Sequence, residues 1–280
     1  MKRLFAAFFA LMYLWSYAND GEFYSEGNQL IPINDTTISV QKEILTIDRI
    51  PGKEYWDTKY AVTVYYEFFN PGDEKDVIVG FESISAEGYI RNFKVVMNGD
   101  SLQHEVKCLQ FPRDDDGQFK LYTPRTGYYK DGQFVEDVWG PDDNEEFYFY
   151  ENLCFNVYHF NAHFKKGVNI IQHTYIFDGA ADNMSQYVFQ YVLTAANRWA
   201  NNGIDDFTLI LNMGDDQTLY IEKSFFDSAS EWTFDGTAEA DNEKSSWQEF
   251  HLNKGSLVFH KRKFHPDGEL FLYSPMKQDD

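Results

Sequence analysis

Hydrophobic and polar residues alternate along most of the chain with a period of two, the period of a strand whose successive side chains point to opposite faces. Residues 59–69 alternate loosely, are rich in Val, Tyr and Phe, and stop at Asn70-Pro71-Gly72, where proline and glycine favour a turn; residues 76–81 then resume, as a hairpin would. Residues 92–97 and 101–111 flank Asn98-Gly99, the dipeptide that most readily takes the left-handed conformations of a two-residue hairpin turn. The same logic places hairpins at Asp131-Gly132, between Tyr128-Tyr129 and Phe134-Val135, and at Pro266-Asp267-Gly268, between residues 257–264 and 269–273. Residues 147–164 and 168–177 read as strands separated by Lys165-Lys166-Gly167, and residues 187–194 and 207–212 as strands separated by room for one helical turn at 195–201. Residues 235–246, holding Gly236 and a mix of charges, read as an exposed loop. No run carries a long helical period.

Many short strands with frequent turns predict an all-β fold, an antiparallel β-sandwich in which two sheets bury their apolar faces against each other. The expected division is two sandwich-like lobes, residues 19–140 and 141–280, with 113–117 and 140–146 as candidate linkers. Ahead of them, residues 1–18 read as a cleavable signal peptide. Lys2 and Arg3 give a positive start, residues 4–15 are apolar, and Ser16-Tyr17-Ala18 supplies small residues for cleavage after Ala18. The apolar stretch is shorter than the roughly 20 residues a spanning helix needs. Asn19, rather than a lipid-bearing cysteine, follows the cut. The expectation is an exported protein, periplasmic or secreted, without a membrane span.

Charge narrows the partners. A formal net charge of -21 and a single basic run, Lys261-Arg262-Lys263, exclude nucleic acid, which needs a concentrated basic surface. An acidic surface suits cations or neutral ligands better than anions. Aromatics make up 18% of the chain, in keeping with pleated strands. Two cysteines, Cys108 and Cys154, would share an oxidising compartment after export, and pairing them would stabilise the fold by roughly 4 kcal/mol on the chain-entropy model. Two separate buried thiols are the alternative.

Asn19-Asp20-Gly21-Glu22-Phe23-Tyr24, Gly27-Asn28-Gln29-Leu30-Ile31-Pro32 and Ile38-Ser39-Val40-Gln41-Lys42-Glu43-Ile44-Leu45 resemble the amino-terminal region of a group of secreted bacterial proteins of unknown function. Some members of that group carry a carboxy-terminal YARHG module. The likeness continues through Val64-Tyr65-Tyr66-Glu67-Phe68-Phe69-Asn70-Pro71-Gly72 and Val79-Gly80-Phe81-Glu82, more weakly around residues 191–199, and the YARHG motif itself is absent. The resemblance implies an exported β-rich protein and transfers no site residue.

Candidate chemistry is sparse. His159 and His163 share a strand face and His173 lies on the next strand, which makes a three-ligand metal cluster conceivable, but the more apolar opposite face points them toward solvent. Asp114-Asp115-Asp116-Gly117 fails as a helix-loop-helix calcium loop, because with Gly117 sixth the first position is Pro112; a looser calcium site there or at Asp142-Asp143-Asn144-Glu145 competes with solvated loop charge. No carboxylate pair stands out for glycoside cleavage, and no Gly-x-Ser-x-Gly elbow, phosphate loop or dinucleotide fingerprint occurs, so no catalytic residue, metal or cofactor is assigned. Tyr128, Tyr129 and Trp139 surround a turn-rich segment where exposed rings could stack on sugar rings or hold an apolar side chain. Core packing is the competing role for these rings, as for Trp199 and Trp232, and open strand edges are a further way to bind a partner. Asp227-Ser228-Ala229 and Asp35-Thr36-Thr37 resemble the acceptor pattern of a bacterial O-glycosylation system.

The sequence therefore leads to an exported, non-catalytic β-sandwich protein that binds a ligand or partner in the cell envelope, a glycan or an envelope protein. The alternatives are a carbohydrate-active hydrolase and a purely structural envelope component. Mass spectrometry of the unreduced, alkylated protein is expected to find no reactive thiol, and uptake of two alkyl groups would remove the Cys108–Cys154 bridge.

Overall fold

The computed structural model describes residues 30–32, 37–53, 58–85, 90–110, 127–130, 133–136, 154–178, 185–241 and 246–275. The strands run β1 (Leu30–Pro32), β2 (Ser39–Ile50), β3 (Lys59–Asn70), β4 (Lys75–Ser85), β5 (Ile90–Met97), β6 (Asp100–Leu102), β7 (Glu105–Gln110), β8 (Gly127–Lys130) and β9 (Gln133–Glu136). They continue as β10 (Cys154–Phe164), β11 (Gly167–Asp178), β12 (Ser185–Tyr191), β13 (Ile204–Asn212), β14 (Gln217–Glu222), β15 (Trp232–Asp241), β16 (Trp247–Phe264) and β17 (Leu270–Pro275). Two short 3₁₀ turns, Thr194–Arg198 and Ala229–Glu231, complete the described elements. The fold is all-β, as the alternation predicts, and the helical turn expected after β12 is the first of these 3₁₀ turns. No helix among the described residues is long and apolar enough to cross a membrane.

Eleven strands form one large sheet in the order β12-β17-β14-β16-β13-β2-β3-β11-β5-β6, with β15 also on β16. A four-stranded sheet, β1-β4-β10-β7, faces its N-terminal half, and β8 and β9 pair by themselves. Strand β3 alternates buried and half-buried side chains along its whole length. Its inner row, Tyr60, Val62, Val64, Tyr66 and Phe68, meets the core. Ring contacts bridge the two sheets: Phe68 with Phe164 at 5.7 Å, Phe81 with Tyr175 at 5.2 Å and Phe93 with Tyr158 at 4.8 Å between centroids.

The turn at Asn98-Gly99 forms as predicted, with both residues at positive φ (53° and 93°) and Met97 opposite Asp100. The hairpin expected across Asn70-Pro71-Gly72 does not form: β3 belongs to the large sheet and β4 to the small one. The turn is a corner between layers. Buried Asn70 holds it, its Nδ2 donating to Asp73 O (2.8 Å) and Phe164 O (3.4 Å) while its Oδ1 accepts from Gly72 N (3.1 Å). The chain returns at Lys165-Lys166-Gly167, where buried Asn169 takes Lys165 N on Oδ1 (2.9 Å) and donates Nδ2 to Lys165 O (2.7 Å) and Gly167 O (3.1 Å). The hairpin expected at Pro266-Asp267-Gly268 does not form either: β16 and β17 stay in the large sheet with β14 between them. Local turn chemistry is the same in both cases; what differs is which neighbour buries the next strand.

Strands β10 and β11, on the far side of residue 140, hydrogen-bond to β4 and β7 and to β3 and β5 respectively. β2 and β13 make the parallel pair that joins them to the C-terminal strands. There the first part of β16 pairs with β14, its last part with β13, and β15 follows it through both. The ribbon bends where Gly236 faces Gly255, at φ of 133° and 97°. A Cβ would lie 2.1 Å from Lys254 O at the first glycine and 1.9 Å from Asp235 O at the second. Glycine is therefore the residue that fits. Residues 235–241 of the stretch expected as a loop belong to this strand, β15, and 242–245 lie outside the described residues; the charges of β15 sit on an exposed edge, where charge discourages pairing with other chains.

The large sheet curls so that β12 lies over β3. Tyr60 packs on Phe189 at 4.8 Å, the Tyr60 hydroxyl donates to Val188 O at 3.1 Å, and the Tyr66 and Tyr191 hydroxyls lie 3.4 Å apart. The Tyr191 hydroxyl also donates to buried Glu43 at 3.4 Å. Beside this group His173 is wholly buried among Tyr66, Phe81, Phe93 and Tyr175, with no partner for either ring nitrogen among the described residues. Burial pushes its pKa down to about 3, and burial also raises the Tyr175 phenol.

Because the unfolded chain protonates His173 near pH 6.5 and the folded chain does not until about 3, stability is full above 6.5 and falls as pH drops through that window. The slope contributed is at most about 1.4 kcal/mol per pH unit. Denaturant unfolding between pH 7 and about 5.5, above the main carboxylate range, is expected to show this loss, and His173→Phe to flatten most of it. Burial lowers His104 as well, which acts in the same direction.

Candidate functional site

The C-terminal strands bury one row of side chains and turn the other outward. In β14, Gln217, Leu219 and Ile221 are buried while Thr218, Tyr220 and Glu222 are partly exposed. In β17, Leu270, Leu272 and Ser274 are buried and Phe271, Tyr273 and Pro275 are partly exposed. The start of β16 buries Gln248, Phe250 and Leu252 and turns out Trp247, Glu249 and His251. Four aromatic rings thus occupy positions where an outward-facing strand usually carries polar groups.

Backbone register gathers them. Tyr220 lies opposite Tyr273 on one side and Glu249 on the other, and Glu222 lies opposite Trp247. The Tyr220 and Tyr273 rings stack at 5.0 Å with planes 10° apart. Trp247 stands edge-on to Tyr273 at 5.1 Å and to Phe271 at 5.4 Å. Rings this close touch one another, so they form a continuous apolar plate.

A polar pair borders the plate. His251 Nε2 lies 3.1 Å from Glu249 Oε1, and its Nδ1 lies 3.1 Å from Thr218 Oγ1. A carboxylate only accepts, so in the neutral ring Nε2 carries the proton and Nδ1 takes the threonine hydroxyl. Burial, then the Glu249 charge, raises the Tyr273 phenol above its usual value. The plate offers stacking surface, and the pair offers hydrogen bonds.

A second candidate is an open groove of about 260 Å³ lined in part by Lys223, Lys261, Lys263, His265, Asp227 and Asp267. Two of the three residues in the basic run reach it. Lys261 is already paired with Glu231 at 2.9 Å, and the aspartates offset the remaining charge, so the groove has no strong preference for an anion.

Tyr128 and Tyr129 lie in β8, opposite Val135 and Phe134 in β9; their side chains, and Trp139, lie outside the described residues. So do both acidic loops considered for calcium and the side chains of Cys108 and Cys154. For the cysteines the backbone register sets Cys108 opposite Asn156 and Cys154 opposite Gln110 on neighbouring strands. His159 and His163 sit on the outer face of β10 with Glu105 (3.7 Å) and Asp76 (2.8 Å), while His173 is buried between the sheets. The three do not converge, and no metal-holding group of three His, Cys, Asp or Glu occurs among the described residues. Trp199 and Trp232 are core residues. Ser228 is exposed ahead of the second 3₁₀ turn. Tyr220, Trp247, Phe271 and Tyr273 escape a search that looks for binding rings in loops. Their signal is Leu270-Phe271-Leu272-Tyr273, where the polar slots of an alternating strand are filled by rings.

No family model matches the chain, and no curated protein does. Among solved structures it resembles a crystal structure from Legionella pneumophila subsp. pneumophila described as a "putative nutrient binding protein". The TM-score is 0.53 at 14% identity, over 89% of this chain and 70% of that one. The likeness is one of fold.

If the rings form one plate, neighbouring truncations are not additive. A double-mutant cycle of Tyr220→Ala and Tyr273→Ala, followed by urea unfolding, is expected to give a coupling of about 0.5–1.5 kcal/mol.

Proposed function

We propose that the protein is an exported, non-catalytic binding protein of the cell envelope that takes a saccharide on the aromatic plate of Tyr220, Trp247, Phe271 and Tyr273. The observation that carries this is the plate itself: four partly exposed rings in mutual contact on the outer face of a sheet, bordered by a hydrogen-bonding Glu249–His251 pair. Pyranose rings present one apolar face of C–H groups and a rim of hydroxyls, and plate and border match those two features in turn. Support for a binding role comes also from the shared fold with a protein named for nutrient binding, and support for export from the leader-like residues 1–18 and the resemblance to secreted bacterial proteins.

Calorimetric titration with neutral oligosaccharides tests it. Binding is expected, with Trp247→Ala weakening it about tenfold, the scale of a lost ring contact at a partly desolvated site, while circular dichroism shows the sheet retained. Undiminished binding by that variant would move the ligand elsewhere, and turnover of any member of the set would replace binding by hydrolysis.

A further inference from the structure

The saccharide reading leaves open which saccharide, and the charge around the plate narrows it. On the strand segments that form this face, residues 217–222, 238–241, 247–252 and 270–275, the outward charged residues are Glu222, Glu239, Asp241 and Glu249. No lysine or arginine takes an outward position there; Lys223 and Lys254 lie past the ends of these segments. Glu249 is the central member: across the ladder it faces Tyr220 on one side and Asp241 on the other, and Trp247 is two positions before it on the same face. Its side chain is only 17% exposed, and its Oε1 is engaged by His251 while Oε2 has no hydrogen-bond partner among the described residues. A partly desolvated carboxylate with an unused oxygen, beside aromatic faces and with further carboxylates around it, is complementary to an ammonium group.

We infer that the ligand is a saccharide bearing free, protonated amino groups, with one ammonium on Glu249 Oε2 and the sugar ring against the plate. This rests on the saccharide reading above and goes beyond it. An anionic sugar would meet the like charges of Glu249, Glu239 and Asp241. A basic peptide satisfies the charge but not the shape. The rings touch at 5.0–5.4 Å and leave no cage between them for a single side chain, β14 is paired on both sides, and the open edge of β15 lies across β16 from Tyr220 and Tyr273.

The test is calorimetry on the full mature protein, at a pH where the amines are protonated, with four probes: tetraglucosamine, its fully N-acetylated counterpart, tetragalacturonate and tetralysine. The amino tetramer is expected to bind about tenfold tighter than the acetylated one, the scale of one charge-assisted hydrogen bond, and the uronate weakest of all. Glu249→Gln should weaken the amino tetramer about tenfold more than the acetylated one and so erase the difference, and about 0.5 M salt should narrow it in the wild type. Circular dichroism and the unfolding midpoint check that the variant keeps its fold. Equal affinity for amino and acetylated tetramers, a preference that survives Glu249→Gln, or tetralysine binding as tightly as the amino tetramer would overturn the inference. The first two of these results leave saccharide binding standing. Failure of both the amino and the acetylated tetramer to bind would remove the saccharide reading as well.

Discussion

A chain that leaves one sheet to enter another strips its backbone of ladder partners at the corner, in the part of the molecule where water is least able to replace them. Asn70 and Asn169 meet that requirement. Each is fully buried, and each spends its amide on the main chain of its own corner. The two corners are neighbours, since Gly167 lies opposite Asn70 in the β3–β11 ladder, and Asn98 ties the adjacent hairpin to Asn169 at 3.1 Å. With both corners fixed, β3 and β11 lie side by side in one layer while β4 and β10 lie side by side in the other. The aromatic core between them follows from that arrangement. An apolar residue at position 70 or 169 would keep the hydrophobic pattern and lose the corner.

The C-terminal half solves a related problem by bending. Strand β16 serves two neighbours in turn, β14 and then β13, and the Gly236–Gly255 crossing lets the ribbon change direction without leaving its ladder. The curl that results lays β12 over β3, which brings Tyr187, Phe189 and Tyr191 against Tyr60 and Tyr66. Inside, aromatic rings fill the space between layers. Outside, on the same strands, a second set of rings is left at the surface, and that separation is what distinguishes a candidate site from core.

Much of the fold was legible because alternation reports burial directly. The strand runs, the Asn98-Gly99 turn and the helical turn before β13 follow from period and turn chemistry alone. The corners did not, because Asn70-Pro71-Gly72 satisfies the local demands of a hairpin and of a layer change equally well; only the partner of the following strand decides, and that partner is distant in sequence. The exposed edge strand β15 looked like a loop for the opposite reason, since edge strands are selected for the charge that loops also carry. As for the site, turn-rich segments drew attention to Tyr128, Tyr129 and Trp139, whereas the rings at Phe271 and Tyr273 sit in a strand whose Leu residues already account for its hydrophobicity. Which row of an alternating strand faces outward depends on register, and register is set by neighbours.

The parallel pairing of β2 with β13 has a consequence in time. Asp48 and Asn212, whose side chains bond across it at 2.6 Å, are 164 residues apart. A chain delivered amino-terminus first presents β2 and β3 early, yet the outer edge of β2 stays without its neighbour until β13 has emerged. Closure over so long a loop is slow, and an uncovered edge in the interval is the place where a foreign strand would add. That edge needs cover until β13 arrives.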